Sequence, residues 1–259
     1  EEVVWAKAFG ESDLATKAPL SPRTPFRLGS VSKVFTASAI LRLQEQGKLR
    51  LDDPVVKHLP WFRPQNPFSE VPIERITIEH LLTHTSGLPR EGAFPYWTTH
   101  TFPSRDELQA SIPTQALFSP PGTTYRYSNL GVAILGQLIE AVAKMPYAAY
   151  LKQAILDPLG MSSTTAAPDA AMIAALGKGY QRKPATGDRR SRPLMDYYET
   201  GTFAPMGGVV STLEDMTKFL ALQLTADPKG AARSTDPARP LSPQTLAEMH
   251  RVRFVYPSF

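Results

Sequence analysis

The chain has 259 residues, of which 28 are Lys or Arg and 24 are Asp or Glu, so its net charge is only +4. This length, with 42% hydrophobic residues, is typical of a globular protein with one large domain or two lobes. The absence of cysteine excludes disulfides, thiolate catalysis and Cys-based zinc sites. The sequence contains no run of about 18 apolar residues, so it predicts no membrane span.

The first predicted elements lead to a serine at the start of a helix. Residues 3–9 are predicted as a strand, and because the chain begins inside it, we expect a preceding segment to be missing. Residues 26–28 form a short β-prone piece, after which Gly29 permits a sharp turn. A long apolar run with helical periodicity follows, with Ser30 at its first turn and Lys33 one turn later on the same face. This position, where backbone N–H groups are unpaired, favours a nucleophilic serine.

Short polar side chains mark the starts of the later helices. Their oxygens accept hydrogen bonds from the unpaired N–H groups of a first helical turn. At two positions an acidic residue three places later completes or approaches a capping-box spacing. The longest of these segments, residues 130–144, is strongly apolar. The predicted caps are Thr77, Ser104, Asn129, Thr212 and Ser242.

Three clusters of like side chains have both a structural and a functional interpretation. His80 and His84 lie four residues apart behind Glu79, but a zinc helix needs the Glu between the two His, which favours a packed or capping pair. The aromatic run Phe94–Phe102 fits either a substrate pocket or loop packing. The basic cluster in residues 181–193 favours a solvated loop over a nucleic-acid patch.

Two short motifs carry the candidate chemistry. Ser30 and Lys33 fit the pattern S-x-x-K, which alone is also typical of a cap serine with an exposed lysine. Ser32 is a nucleophile by type but has no lysine at that spacing. Tyr127 and Asn129 fit the pattern Y-x-N, in which the tyrosine can relay a proton and the Asn amide can bind a substrate carbonyl.

Together with several longer phrases, these motifs resemble the serine β-lactamase-related family. This family comprises class C β-lactamases, penicillin-recognising enzymes, related esterases and D-amino peptidases. The likeness covers nearly the whole chain in order. The phrases are Gly47-Lys-Leu-Arg-Leu-Asp-Asp-Pro54, His80-Leu-Leu-Thr-His-Thr-Ser-Gly-Leu88, Pro121-Gly122, Pro158-Leu-Gly-Met161 and Gly207-Gly-Val-Val-Ser-Thr212.

The resemblance implies an α/β (α+β) fold of the β-lactamase/transpeptidase-like type. We expect an antiparallel sheet flanked by helices plus an all-helical lobe, in one catalytic domain over residues 1–259 that is truncated at both ends. The sheet lobe would take about residues 1–29 and missing C-terminal strands, and the helical lobe about residues 30–259. The resemblance favours a periplasmic or secreted location, with a cytoplasmic one left open, and implies no cofactor and no metal.

The resemblance also implies a role for each motif residue. Ser30 would be the acylated nucleophile, and its backbone N–H half of the oxyanion hole. Lys33 would be its activating base or would tune Tyr127, which would be the partner acid/base; the division between them stays open. Asn129 would contact the substrate acyl group.

One expected motif is absent from this sequence. The family carries Lys-Thr-Gly or His-x-Gly on a late strand, but no Lys-Thr-Gly follows Gly208, and His250-Arg-Val does not fit His-x-Gly. We therefore expect a missing segment or a second chain to supply it.

The motifs and the resemblance together predict a serine hydrolase, an esterase or a broad β-lactamase-like enzyme, that acts through an acyl-enzyme on a small ester, amide or peptide substrate, with β-lactams among the candidates. The alternatives are a D-alanyl-D-alanine carboxypeptidase or D-aminopeptidase, and a non-catalytic penicillin-binding-like sensor or scaffold. No nucleic-acid partner and no membrane span are expected.

Overall fold

The computed structural model describes residues 3–180, 194–226 and 239–255, and the regular secondary structure in these ranges is mainly helical. The two longest helices are α1 (Ser32–Glu45) and α6 (Asn129–Ala143), which pack against each other. The short α9 (Ala204–Gly207) packs against both. The other helices are α2 (Val55–His58), α3 (Ile78–Leu82), α4 (Tyr96–Thr99), α5 (Arg105–Ser111), α7 (Tyr147–Leu151), α8 (Ala170–Ala175), α10 (Leu213–Gln223) and α11 (Pro243–Met249).

Short antiparallel strand pairs accompany the helices. The strands are β1 (Glu11–Asp13), β2 (Ala18–Pro19), β3 (Phe26–Arg27), β4 (Gly179–Tyr180), β5 (Leu194–Met195) and β6 (Val210–Ser211). β1 pairs with β2, β4 with β5, and β3 with β6. In the last pair Phe26 lies opposite Ser211 and Arg27 opposite Val210. Because β3 ends just before Ser30 and β6 follows α9, this pair ties the start of α1 to the region of α9.

The core lies along α1 and α6. α1 buries Phe35, Ile40 and Leu43 completely, and residues 129–139 of α6 are buried on every side. Each large aliphatic or aromatic side chain removed from water in this way stabilises the fold by about 1.5–3 kcal/mol. Phe35 also stacks on Phe219 of α10, with ring centroids 4.2 Å apart. The helix that carries the S-x-x-K motif is therefore held rigidly at the centre of the molecule.

Most predicted helix caps are confirmed. The side chains of Thr77, Ser104, Thr212 and Ser242 each accept a hydrogen bond from the backbone N–H three residues later. The prediction for Asn129 was wrong: Ser128 caps α6, and its Oγ accepts from Gly131 N at 2.9 Å. Asn129 is the first helical residue, which leaves its side chain free for another contact.

Three further expectations differ from the structure or are not tested by it. The strand predicted over residues 3–9 was wrong: this segment is largely exposed and does not pair, among the described residues, with a second strand, which a β-ladder requires. The division into lobes near residue 29 stays a prediction, and the β3–β6 pair joins residues from both sides of it. The basic cluster in residues 181–193 lies outside the described residues.

Within the described ranges, no single helix is both long and apolar enough to cross a membrane. One pair of helical segments, Asn129–Ala143 and Tyr147–Leu156, has the necessary length and apolar composition when taken together, but it is bent by 76°.

Candidate active site

Ser30 is presented at the exposed start of the buried helix α1. Gly29 adopts φ +55°, in the left-handed region that glycine enters without steric cost. Residues Gly29–Val31 then form a single 3-10 turn that continues into α1. Leu28 N donates to Val209 O at 2.8 Å, which anchors this turn to the strand pair. The Ser30 side chain therefore faces solvent on a rigid base.

Two of the predicted site side chains meet at the Ser30 hydroxyl. Lys33 Nζ lies 3.2 Å from Ser30 Oγ, as the spacing along the helix predicts. Tyr127 OH lies 2.9 Å from the same oxygen, although the two residues are 97 positions apart in the chain. Lys33 Nζ also donates to the backbone carbonyl of Met206 in α9 at 2.7 Å, which fixes the amine beside the serine.

Burial changes the proton affinity of the Lys33 amine. Removal from water lowers the pKa of Lys33 below its usual 10.5, because burial disfavours the charged form. A hydrogen bond and charge interaction with Tyr127 and the carboxylate of Glu91 oppose this shift, while the guanidinium of Arg90 adds to it. The neutral amine, which can accept a proton from a serine, is thereby made more accessible.

The Tyr127 ring is enclosed by basic side chains. Lys33 Nζ lies 4.8 Å and the Arg90 guanidinium 4.9 Å from the ring centroid, within the range of cation–π attraction. The His84 ring packs against Tyr127 with centroids 4.6 Å apart. Burial, and to a lesser extent the charge of Lys33, lowers the pKa of His84 to about 4. His84 is therefore neutral near pH 7, and its ring packs against Tyr127.

The loop of residues 84–91 holds the Y-x-N motif in place. Ser128 N donates to His84 Nδ1 at 3.2 Å, and Ser128 Oγ donates to Pro89 O at 2.7 Å. Asn129 N donates to the backbone carbonyl of Arg90 at 2.7 Å. These bonds attach the loop to the first turn of α6, so the loop and the motif form one rigid unit.

Asn129 makes a contact that the sequence analysis did not predict. Its Nδ2 donates to Glu91 Oε1 at 2.8 Å, and its Oδ1 is buried with no hydrogen-bond partner among the described residues. Arg90 and Glu91 belong to no recognised motif. The one available signal was their position shortly after the phrase that ends at Leu88, from which Pro89 separates them.

The competing nucleophile Ser32 has a structural role. Its side chain is completely buried, and its Oγ accepts from Val209 N at 3.0 Å. A carbonyl substrate has no access to an oxygen in that position. Of the two serines in this turn, only Ser30 is exposed beside Lys33 and Tyr127.

The histidines and the aromatic run singled out in the sequence make packing and hydrogen-bond contacts. His80 Nδ1 accepts from Thr77 N at 3.2 Å, so the favoured packed or capping roles of His80 and His84 are confirmed. Across the described ranges no group of three or more His, Cys, Asp or Glu could hold a metal ion. Of the aromatic run, Tyr96 is fully buried and stacks on Phe102, which supports loop packing. His250 pairs with Gln223 Oε1 at 2.8 Å.

The chain is similar to known proteins over most of its length. The model of the family described as Beta-lactamase matches residues 1–257. Protein flp of Staphylococcus aureus is 30% identical over 228 residues, which is 88% of this chain and 44% of that protein. Penicillin-binding protein 4* of Bacillus subtilis is 34% identical over 167 residues, covering 63% of this chain and 35% of its own length.

Two solved structures show the same relationship. A β-lactamase/D-alanine carboxypeptidase from Yersinia pestis, complexed with citrate, matches 83% of this chain and 58% of its own, with TM-score 0.69 and 29% identity. The octameric penicillin-binding protein homologue from Pyrococcus abyssi matches 99% and 55%, with TM-score 0.77 and 28% identity. The expected β-lactamase/transpeptidase-like fold is therefore confirmed, and the chain spans roughly a third to three fifths of these relatives.

Proposed function

The chain belongs to the β-lactamase family, and on that premise we propose that Ser30 is the nucleophile of a serine hydrolase that forms an acyl-enzyme on esters or amides. The observation that carries the proposal is the convergence of Lys33 Nζ and Tyr127 OH on Ser30 Oγ, at 3.2 and 2.9 Å. Both distances lie within reach of proton transfer. The family and the penicillin-binding relatives support a hydrolase of this serine type.

In the proposed reaction the neutral Lys33 amine takes the Ser30 proton while Oγ attacks the carbonyl carbon. The carbonyl electrons move to its oxygen. The Ser30 backbone N–H would stabilise this oxygen together with a second donor, which in the family comes from the late strand that carries Lys-Thr-Gly or His-x-Gly. When the carbonyl reforms, the bond to the leaving group breaks and Tyr127 protonates that group. Lys33 returns its proton to Tyr127, and a water repeats the sequence to release the acyl group. Lys33 is assigned as the base because burial lowers its pKa.

A second candidate is a D-alanyl-D-alanine carboxypeptidase. The exposed guanidinium of Arg90, which also pairs with Glu91, lies over the ring of Tyr127, so a cation lies next to the tyrosine that contacts Ser30 and could bind a terminal carboxylate. The Yersinia pestis structure named above belongs to a protein described in part by this activity. If this function holds, a peptide that ends in D-Ala-D-Ala is cleaved faster than its C-terminal amide, and Arg90→Gln removes the difference.

Covalent labelling tests the nucleophile. The full natural protein is treated with a fluorophosphonate or a penicillin, and its intact mass is measured alongside the Ser30→Ala and Ser32→Ala variants. We expect one adduct in the wild type and in Ser32→Ala, and none in Ser30→Ala. If folded Ser30→Ala still forms the adduct, or the wild type forms none with either reagent, the mechanism is wrong.

The fate of the adduct separates the remaining alternatives. An adduct with the phosphonate alone indicates an esterase. A penicillin adduct that is never hydrolysed indicates a sensor if the protein also cleaves no ester and no peptide ending in D-Ala-D-Ala. Lys33→Ala is expected to abolish acylation, whereas Tyr127→Phe should slow it while leaving it measurable. The reverse order would transfer the role of base to Tyr127.

A further inference from the structure

The carbonyl groups at the end of α9 are bound by side chains of α1 and not by a further helical turn. In a longer helix Val209 N would donate to Pro205 O, four residues earlier. It donates to Ser32 Oγ at 3.0 Å instead, and the donor to Pro205 O is Thr36 Oγ1 at 2.8 Å. Thr36 is completely buried, so this bond is shielded from water. Side chains of α1 therefore determine where α9 ends.

The same arrangement holds the Lys33 amine. Lys33 Nζ donates at 2.7 Å to the carbonyl of Met206, the residue directly after Pro205. Lys33 and Thr36 are three residues apart and share one face of α1. Because they bind adjacent peptide groups of one short helix, a shift of the Pro205 carbonyl also moves the Met206 carbonyl. The position of the amine beside Ser30 therefore depends on the bond that Thr36 makes.

A tyrosine of α7 determines the direction of the Thr36 hydroxyl. Tyr147 OH lies 2.8 Å from Thr36 Oγ1, and both side chains are buried. Burial raises the pKa of Tyr147, so its hydroxyl keeps its proton at ordinary pH. A threonine hydroxyl has a single proton, a carbonyl oxygen only accepts, and the carbonyl of Ser32 is more distant, at 3.4 Å. Tyr147 therefore donates to Thr36, and Thr36 donates to Pro205 O.

We propose that Thr36 and Tyr147 are positioning residues for the proposed base. They set the end of α9 so that the Met206 carbonyl holds the Lys33 amine beside Ser30. This inference rests on the proposed function of Ser30. A carbonyl acceptor favours the charged amine over the neutral one, because hydrogen bonds to charged groups are stronger. Loss of the contact should therefore lower the pKa of Lys33 and leave its amine less well placed.

The pH dependence of Ser30 labelling by a fluorophosphonate tests the proposal. Thr36→Val keeps the shape of the side chain and removes the hydroxyl. The maximal labelling rate should fall by about 10- to 100-fold, since a misplacement of about 1 Å costs about 100-fold. The rise in rate on the acidic side should also move to lower pH by about half a unit to one unit. This shift reports the Met206 contact, because the variant retains the titratable and charged side chains that act on Lys33, which are Tyr127, Glu91, Arg90 and His84.

Three further variants complete the comparison. Thr36→Ser retains the hydroxyl and should give the wild-type pH profile. Tyr147→Phe leaves Thr36 able to donate to Pro205 O but no longer fixes its direction, so the shift should have the same sign and be smaller. The matched control is Ser38→Ala, which removes a buried hydroxyl of the same helix that donates to Val34 O at 2.8 Å. This control should leave the pH profile unchanged.

The two proposals can fail separately. If Ser30 is labelled and the pH profile of Thr36→Val stays in place or moves to higher pH, the positioning role is wrong whatever the rate, and the hydrolase assignment stands. If the wild type shows no Ser30-dependent label, the hydrolase assignment fails. NMR titration of the Lys33 amine in the wild type and Thr36→Val then decides the positioning role, since equal pKa values overturn it. If Thr36→Val does not fold, Tyr147→Phe is compared with Thr36→Ser, and identical pH profiles overturn the proposal.

Discussion

A single methyl group added at Gly136 is expected to disturb the site from within the core. Gly136 lies in α6 where the helix meets Pro205 of α9. A Cβ atom at this position would lie 2.2 Å from Pro205 Cγ and 3.1 Å from Pro205 Cβ. The neighbouring carbonyl of Met206 accepts the 2.7 Å hydrogen bond from Lys33 Nζ, so a shift of α9 moves a partner of the proposed base.

The size and the sign of the effect follow from these distances. Ordinary contact needs about 3.4–4 Å, so the two segments must separate by about 1 Å or more, and such overpacking costs about 1–3 kcal/mol. In an unobstructed helix the same change would stabilise by about 1 kcal/mol, because Ala is the better helix former. A displacement of about 1 Å at a catalytic group can slow the reaction by about 100-fold. Gly136→Ala should therefore lower both the free energy of unfolding and the rate of Ser30 labelling.

Urea unfolding and the rate of fluorophosphonate labelling measure the two effects. Pro205→Ala removes the Cγ atom that clashes, so the double variant should recover most of the stability and of the labelling rate. The expected coupling free energy between the two positions is at least about 1 kcal/mol. The reasoning is refuted if Gly136→Ala is as stable as the wild type and is labelled equally fast, or if Pro205→Ala gives no recovery.

Three other predictions use different parts of the molecule. Burial acts to raise the pKa of Asp53, but hydrogen bonds from two neighbouring side chains and a backbone N–H bring it down to about 2 from 3.8. Asp53→Asn should lower the free energy of unfolding in urea by about 2.5 kcal/mol near pH 7, by about half as much at pH 3, and by little below pH 2. A loss of stability that does not depend on pH would contradict this. Arg90→Gln removes a cation that lowers the pKa of Lys33. In a plot of the Ser30 labelling rate against pH, the rise on the acidic side should therefore move to higher pH. A move to lower pH would exclude Lys33 as the base. Gly87 has φ +81°, and Gly87→Ala would place a Cβ atom 2.1 Å from Ser119 O. Calorimetry should therefore show a loss of stability of more than about 1 kcal/mol. An unchanged melting temperature would contradict this.

Local patterns predicted much of the helical framework. The caps at Thr77, Ser104, Thr212 and Ser242 were identified because a cap and the N–H it binds lie within four residues of each other. Residues 3–9 show the limit of that approach. Their composition suits a strand, but pairing depends on a partner elsewhere, which the composition of the segment does not contain.

At the site, the sequence by itself determined the pair Ser30 and Lys33, because residues three apart on a helix share one face whatever surrounds them. Only the tertiary structure decided that Tyr127 reaches the same hydroxyl, that Ser32 is buried, and that Asn129 turns its NH2 group to Glu91. The first depends on how the segment before α6 meets the start of α1, the second on the contact of α1 with Val209, and the third on how the loop of residues 84–91 meets α6. Such contacts join positions far apart in the chain, and no local spacing encodes them.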